Sequence, residues 1–351
     1  PVAFMKPLPD LHEFAWSYIM KFSLLSLFIA LLLLSACGKT PEPAQPPAPV
    51  AETPSEAEAA PEAPSRFDIY ASVQLSPDLS SLSDNQREMV RLLIEAAQIT
   101  DDIFWQQVWG DREELLAGID DPKARQFAIY NYGPWDRLDN DQPFLEQYGP
   151  RPPGARFYPE DMSKAVFEAW DQPGKDGLYS LVRRDANGNL TLVPYSEAFA
   201  EAIDRIAALL RQASGLAEDP EFARYLDLRA SALLTDDYQA SDMAWMDMKN
   251  NPIEVVIGPI ETYQDALYGY RAAFETFVLL KDLAWSERLA RFAQFMPDLQ
   301  RGLPVDAEYK QEMPGTDADL NAYDVIYSAG DANSGSKTIA INLPNDEEVQ
   351  L

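Results

Sequence analysis

From Arg66 onward, aliphatic and aromatic residues recur at intervals that predict packed secondary structure, so the folded region is placed from about Phe67. Ser83-Asp84-Asn85-Gln86 has the Ser-x-x-Gln form of a capping box, and Met89, Leu92, Leu93, Ala96 and Ala97 follow at helical spacing. This predicts a helix from about Asp84 to Ile99, with Met89, Leu92 and Leu93 in the core. The stretch Ala124–Pro153 has no sustained period and is rich in Tyr, Trp, Gly, Pro and Asp. It reads as a long ordered loop. Its aromatic and asparagine density suits a cleft lining, but Trp135 and Tyr132 are better read as anchors that pin the loop to the core.

The runs LYSLVRRD and NLTLVPY flank Ala186-Asn187-Gly188, where Asn-Gly supplies positive φ, and predict a strand pair. Two amphipathic helices follow, at about Tyr195–Ser214 and Pro220–Thr235, with Gly215 stopping the first and Pro220 in the first turn of the second. A further helix is expected over roughly Tyr268–Phe295, with Phe274, Phe277, Val278, Leu283 and Leu289 on one side. No internal repeat of 20 to 50 residues is found. The fold class is therefore mixed α/β and helix-rich.

The first 66 residues are of a different kind. Met20–Cys37 reads MKFSLLSLFIALLLLSAC: one lysine, a leucine-rich run shorter than the ~20 residues of a spanning helix, then small residues before cysteine. This is the pattern of a signal peptide, and Leu34-Ser35-Ala36-Cys37 resembles the lipobox of bacterial lipoproteins, which implies acylation at Cys37. Residues 1–19 carry no such pattern and read as an upstream extension. Residues 38–66 are dominated by Pro, Ala and Glu with almost nothing to bury. They read as a disordered, extended spacer. The resulting expectation is a lipid-anchored protein of the cell envelope, on the periplasmic side of an outer membrane.

Acidic residues outnumber basic ones 57 to 28, a formal charge of −29, which argues against nucleic acid as a partner. The single cysteine excludes a disulfide framework and Cys-based zinc knuckles. The single histidine, His12, lies in LHEFAW, where Trp16 stands at the position a second zincin histidine would need, so it is no metal ligand.

Asn251–Val278 reads NPIEVVIGPIETYQDALYGYRAAFETFV. Its run Ile-Gly-x-Ile-Glu-Thr-Tyr-x-Asp, with Gly269, Phe274-Glu275 and Phe277-Val278 at matching spacing, resembles the dipeptidyl peptidase III family, the M49 metallopeptidases. A second match has Asp324-Val325 and Ala329-Gly330 ahead of Ala340-Ile341-Asn342-Leu343-Pro344-Asn345. Together with PPGARFYPEDMSKAVFEAW and RRDANGNLTLVPYSEAF, the resemblance covers about residues 67–351 and looks like the bacterial branch.

What the resemblance implies is release of dipeptides from the free amino end of short peptides, by one zinc held between two lobes. In the family the zinc comes from His-Glu-x-x-x-His and a later glutamate motif, both beyond the Asn-x-Pro-Asn segment, so no zinc and no catalytic residue is expected in this chain. It is expected to be the N-terminal part of the two-lobed fold, mostly the non-zinc lobe, with about 273–320 crossing into the helical lobe and exposing apolar faces. By resemblance, Glu254 with Asn342 and Asn345 would hold the peptide's free amine. Without the resemblance, Glu254 is a strand-edge carboxylate and the asparagines belong to a turn. Many relatives have tyrosine two positions after the aligned glutamate, where this chain has Val256. Glu261, Tyr263 and Asp265 are read as structural.

Two functions remain in view. One is the N-terminal portion of a membrane-tethered dipeptidyl peptidase III-like enzyme, inactive alone and partnered by a zinc-binding half. The alternative is a lipoprotein that binds short peptides without cutting them.

Overall fold

The computed structural model describes residues 65–310, 320–335 and 346–350. Cys37, Asn342 and Asn345 therefore lie outside the described residues, as does His12. Helix α1 spans Asp84–Val108 and opens on the expected capping box: Ser83 accepts from the Gln86 N–H at 3.1 Å, and the Gln86 side chain accepts from the Ser83 N–H at 3.0 Å. The helix runs nine residues past the predicted end at Ile99, because Thr100, Ile103, Phe104, Gln107 and Val108 continue its buried stripe. Two of these are polar yet bonded. Thr100 Oγ1 donates to the Ala96 carbonyl, and Gln107 exchanges hydrogen bonds with the Ala272 carbonyl and the Phe274 N–H.

After α2 (Arg112–Ala117), the expected loop from Ala124 proves to begin as a helix, α3, at Pro122–Asn131. Asp121 caps it, Pro122 fits its first turn, and Ala124, Phe127, Ala128 and Asn131 form a buried i, i+3, i+4, i+7 stripe. The remainder is loop-like, with a minimal ladder of β1 (Trp135–Asp136) and β2 (Gln142–Pro143). Trp135 and Tyr132 do anchor it: both are buried, Trp135 Nε1 donates to the Gly149 carbonyl, and the Tyr132 hydroxyl donates to Asp101.

Helix α4 (Lys164–Ala169) precedes the expected hairpin, β3 (Ser180–Arg184) and β4 (Leu190–Pro194), paired from Ser180↔Pro194 to Arg184↔Leu190. The helix predicted from Tyr195 is broken at Phe199 into α5 (Tyr195–Ala198) and α6 (Ala200–Ser214). Helix α7 occupies Pro220–Thr235 as expected, with Asp219 accepting from the N–H groups of Glu221 and Phe222. Helix α8 (Gln239–Asp247) leads to the central sheet.

That sheet is antiparallel, in the order β5 (Ile253–Glu261), β6 (Ala273–Lys281) and β7 (Tyr323–Gly330). The predicted helix over Tyr268–Phe295 is thus corrected: its first half is the middle strand of the sheet, and only Leu283–Ala293 is helical, α9. Both faces of β6 are buried, so its apolar run loses the alternation that marks a half-exposed strand, and Phe, Thr and Val favour extended backbone. One face packs Ile253, Val255, Ile257, Phe274, Val278 and Leu280 into the main core with α1, α6 and α7. Thr276 on that face meets Thr100 of α1, hydroxyl to hydroxyl at 3.0 Å.

Helix α10 (Met296–Gly302) follows α9, and these two leave Leu283, Trp285, Phe292, Phe295 and Leu299 exposed. The short helix α11 (Glu347–Gln350) completes the described elements. Among the described residues no helix is long and apolar enough to cross a membrane.

Candidate functional site

The second face of the sheet carries the candidate chemistry. Its middle is apolar: Val256 and Ile260 of β5, Phe277 and Leu279 of β6, and Ala332 form a small cluster of their own, with Trp245, Tyr323 and Val325 packed against it. Carboxylates stand at both ends, in opposite states.

At one end is Glu254, buried at the start of β5. Trp245 Nε1 donates to its Oε1 at 3.0 Å and the Tyr323 hydroxyl donates to its Oε2. Both oxygens are engaged within the fold. Val256, two residues on, points to the same face and fills the apolar strip.

At the other end, Glu261, Glu275 and Asp331 come together. Glu275 is the single charged residue inside the apolar run of β6 and is only 4% exposed. Its cross-strand neighbours are Gly258 on β5 and Gly330 on β7, neither of which has a side chain to cover it. No group among the described residues hydrogen-bonds to its carboxylate, and burial, reinforced by the charges of Asp331 and Glu261, pushes it up to about 8. Glu261, less buried, is also raised, by burial first and by Asp331 second. Gly330 fixes this corner: at φ 68° it adopts a left-handed conformation, and a Cβ there would stand 2.3 Å from the Phe274 carbonyl oxygen.

Asp331, immediately after Gly330, is buried and bonded. Gln264 Nε2 donates to its Oδ1 at 2.5 Å and Ser334 Oγ at 3.1 Å. Burial raises its pKa, opposed chiefly by Arg137. Gln264 Oε1 in turn accepts from Arg137 Nη1 and Arg151 Nη2, each at 2.7 Å. Arg137 is driven down to about 10 by burial and by Arg151, while Arg151 also bonds to Asp141 at 3.2 Å.

The two carboxylate poles cannot serve one small cation. Leu279, the cross-strand partner of Glu254, is four residues from Glu275, which at about 3.3 Å per residue is about 13 Å along the strand. Asp265 is structural, as expected: it accepts from the Tyr158 hydroxyl and from the N–H groups of Leu267, Tyr268, Tyr270 and Arg271, and so shapes the turn between β5 and β6. Tyr263 is exposed.

A model of peptidase family M49 matches residues 182–351. The solved structure of DPP III from Caldithrix abyssi is 38% identical to this chain with a TM-score of 0.74, covering 80% of this chain and 55% of that one. The chain belongs to peptidase family M49. A second M49-like structure, dipeptidyl-peptidase III from Corallococcus sp. strain EGB, is 35% identical over the same shares, also with a TM-score of 0.74. Nudix hydrolase 3 of Arabidopsis thaliana is 30% identical over 343 residues, 80% of this chain and 44% of the relative. The M49 chain thus spans about half the length of the relatives it matches.

Within this M49 chain the run Ile257-Gly-Pro-Ile-Glu-Thr-Tyr-Gln-Asp265 ends β5 and turns at the acidic pole, so the family-like stretch and the pole coincide at Glu261. Glu254 lies upstream of it. Sequence reasoning misses Glu275 and Asp331 and reads Glu261 as structural. The available signal is a lone glutamate in an apolar run, Phe274-Glu-Thr-Phe-Val-Leu-Leu280, and an aspartate directly after a glycine.

Proposed function

We propose that this chain supplies the peptide-holding part of a dipeptidyl peptidase III-type metallopeptidase, acting on short peptides from their free amino ends. The observation that carries this reading is the sheet face itself: an apolar middle with a buried carboxylate at each end, Glu254 at one and, without a hydrogen-bond partner among the described residues, Glu275 at the other beside Glu261 and Asp331. A buried carboxylate is costly unless a cation meets it, and a peptide's terminal ammonium has the charge and the donors to do so. We assign the amine to Glu254, as the resemblance does: Trp245 and Tyr323 place one donor on each of its oxygens and leave further acceptor capacity. Asn342 and Asn345 remain the asparagines that the family resemblance assigns to the same amine.

The family is zinc-dependent, and the residues present do not fit a zinc centre. From residue 67 to 351 the sequence has neither histidine nor cysteine, and among the described residues no three His, Cys, Asp or Glu side chains converge as a metal-ion set. No hydrolytic step is derived for this chain. Its contribution is binding and orientation of the peptide's amino end, and the zinc chemistry belongs to a partner half. Anchorage through acylated Cys37, on the periplasmic side of an outer membrane, is part of the proposal and rests on the Leu-Ser-Ala-Cys pattern and the spacer after it.

Calorimetric titration of the purified chain with tetra-alanine and with N-acetyl tetra-alanine tests the binding role. The free-amine peptide should bind and the acetylated one should not, with Glu254→Gln abolishing the difference. Equal binding of the two peptides overturns the assignment. A dipeptidyl naphthylamide with added zinc should remain uncleaved by the chain alone; chelator-sensitive turnover would overturn the division of labour. Binding without cleavage by any complemented form would favour the peptide-binding alternative.

A further inference from the structure

A cavity of about 710 Å³ lies across α1 from the central sheet. Thr100 and Gln107 reach from α1 to the middle strand, so Asp102, Trp105 and Gln106, about half a turn round the helix, face the other way and line this cavity. The hairpin supplies the opposite wall. Leu181 and Arg183 share the face of β3 that is turned away from Val182, and Val193 of β4 stands across from Leu181. Trp105, Leu181, Val193 and Phe199 make the wall apolar, and the volume is that of a small-molecule site.

Three arginines, Arg112, Arg156 and Arg183, line the same cavity. In a chain with 57 acidic and 28 basic residues, guanidiniums have carboxylates to spare. Arg91, Arg184 and Arg229 each hold one, at 2.7, 2.6 and 2.5 Å. The cavity arginines do not. Arg183 Nη1 donates to the carbonyls of Phe157 at 3.3 Å and Val182 at 2.8 Å, and no carboxylate among the described residues pairs with it. Arg156 stands 3.8 Å from the exposed Glu160, and Arg112 4.0 Å from the exposed Glu113, with its Nε buried and unbonded among the described residues. The backbone brings two of the three to one corner: the Arg156 N–H donates to the Gln107 carbonyl, and the Phe157 carbonyl accepts from the Val182 N–H beside Arg183. Burial lowers the pKa of Arg183, and the charge of Arg156 lowers it further. An oxyanion between these two forks would accept from both and relieve their repulsion.

We propose that this cavity binds a small organic monocarboxylate, its carboxylate on Arg156 and Arg183 and its apolar body against Trp105, Leu181, Val193 and Phe199. The single charge follows from the acids in the lining, Asp102, Asp111 and Glu113, which would repel a phosphate dianion more strongly than a carboxylate. These acids are otherwise placed than on the arginine corner. Asp111 caps α2 by accepting from the Glu114 N–H at 3.0 Å, Asp102 lies within the influence of Arg112 and Arg205, and Glu113 is exposed. The cavity shares no residue with the sheet face, so the proposal stands apart from the assignment of a peptide's amine.

Calorimetry on the full chain with N-acetyl-phenylalanine, its amide and phenyl phosphate, none of which has a free amine, tests the site. The carboxylate should bind roughly tenfold tighter than the amide, and tighter than phenyl phosphate. Arg183→Gln should weaken the carboxylate by about tenfold and Arg156→Gln, at a more exposed side chain, by about threefold, each leaving the amide unchanged. A purely structural role for Arg183 would instead weaken carboxylate and amide alike. Equal binding of carboxylate and amide, no binding of the carboxylate at millimolar concentration, or carboxylate binding indifferent to both substitutions overturns the proposal. Tighter binding of phenyl phosphate overturns it too, by removing the restriction to a single charge. If Arg183→Gln does not fold, Arg156→Gln still decides, because its side chain is exposed and holds no bond of the core.

Discussion

Glu254 and Glu275 stand on the same face of the same sheet, are both nearly inaccessible, and are opposites in every other respect. Glu254 has an indole N–H and a phenol O–H on its two oxygens. Glu275 has only glycines across both neighbouring strands and like charges nearby. A buried carboxylate whose bonds are complete contributes to the fold, whereas one whose bonds are missing raises the energy of the empty fold and is relieved when a cation arrives. Burial alone does not separate the two cases. The census of donors does.

The sharpest way to break the acidic pole without touching its charges is through its backbone. Gly330→Ala places a Cβ against the Phe274 carbonyl, a backbone atom that cannot rotate away, at a φ that L residues rarely adopt. A loss of more than about 3 kcal/mol is expected in urea denaturation. A loss under about 1 kcal/mol would mean that the β6–β7 corner yields easily and does not hold Asp331 in place.

The next effect concerns the sign of a pH dependence. Glu275 is raised in the folded state to about 8, from 4.5 in the unfolded chain, so the folded protein binds the extra proton between those values. Its contribution is therefore harmless below the unfolded value and increasingly destabilising as pH rises towards 8. Glu275→Gln should stabilise the chain by about 2 to 3 kcal/mol near pH 7 and flatten the pH dependence across that window. Denaturation at several pH values checks it. Destabilisation by the substitution at pH 7 would show that Glu275 is already bonded.

Glu254→Leu should do the reverse. It leaves Trp245 Nε1–H and the Tyr323 hydroxyl without their acceptor in an apolar setting, and a loss of about 2 kcal/mol is expected, together with loss of the preference for a free-amine peptide. A preference for the free-amine peptide that survives this substitution would move the amine from Glu254 to the Glu275 pole.

Much of the scaffold is legible in the sequence, and the failures have physical causes. The Ser83–Gln86 box, the Asn187-Gly188 turn and the Pro220 start are local chemistry, and each appears where its residues predict. The strand Ala273–Lys281 reads as helix because burial on both faces removes the period-two signal. The same burial conceals Glu275: a glutamate in an apolar stretch of assumed helix looks like a polar-face residue, and only the sheet register reveals the two glycines beside it. Asp331 is illegible for another reason, since Gln264, which donates to it, and Arg137 and Arg151, which donate to Gln264, come from distant stretches of chain.

The smallest expected effect distinguishes the members of the acidic pole from one another. Asp331 is buried and acts on Glu275 through protein, whereas Glu261 ends its strand half-exposed and acts partly through solvent. Charges that interact through water are screened, with a Debye length of about 8 Å at 0.15 M salt and about 3 Å at 1 M, while buried pairs are screened far less. Glu261→Gln should therefore lower the titration midpoint of Glu275 in dilute buffer, because one like charge is gone. The difference from wild type should shrink as salt is raised to about 1 M, while the bulk of the Glu275 shift, which comes from burial, persists in both proteins. Carbon-13 titration of the Glu275 carboxyl at two salt concentrations measures both effects. A Glu261 effect that survives high salt undiminished would place that carboxylate inside the pole with Asp331. A midpoint that returns to the ordinary glutamate range in high salt would show that Glu275 is solvated, and the contrast with Glu254 would then have no basis.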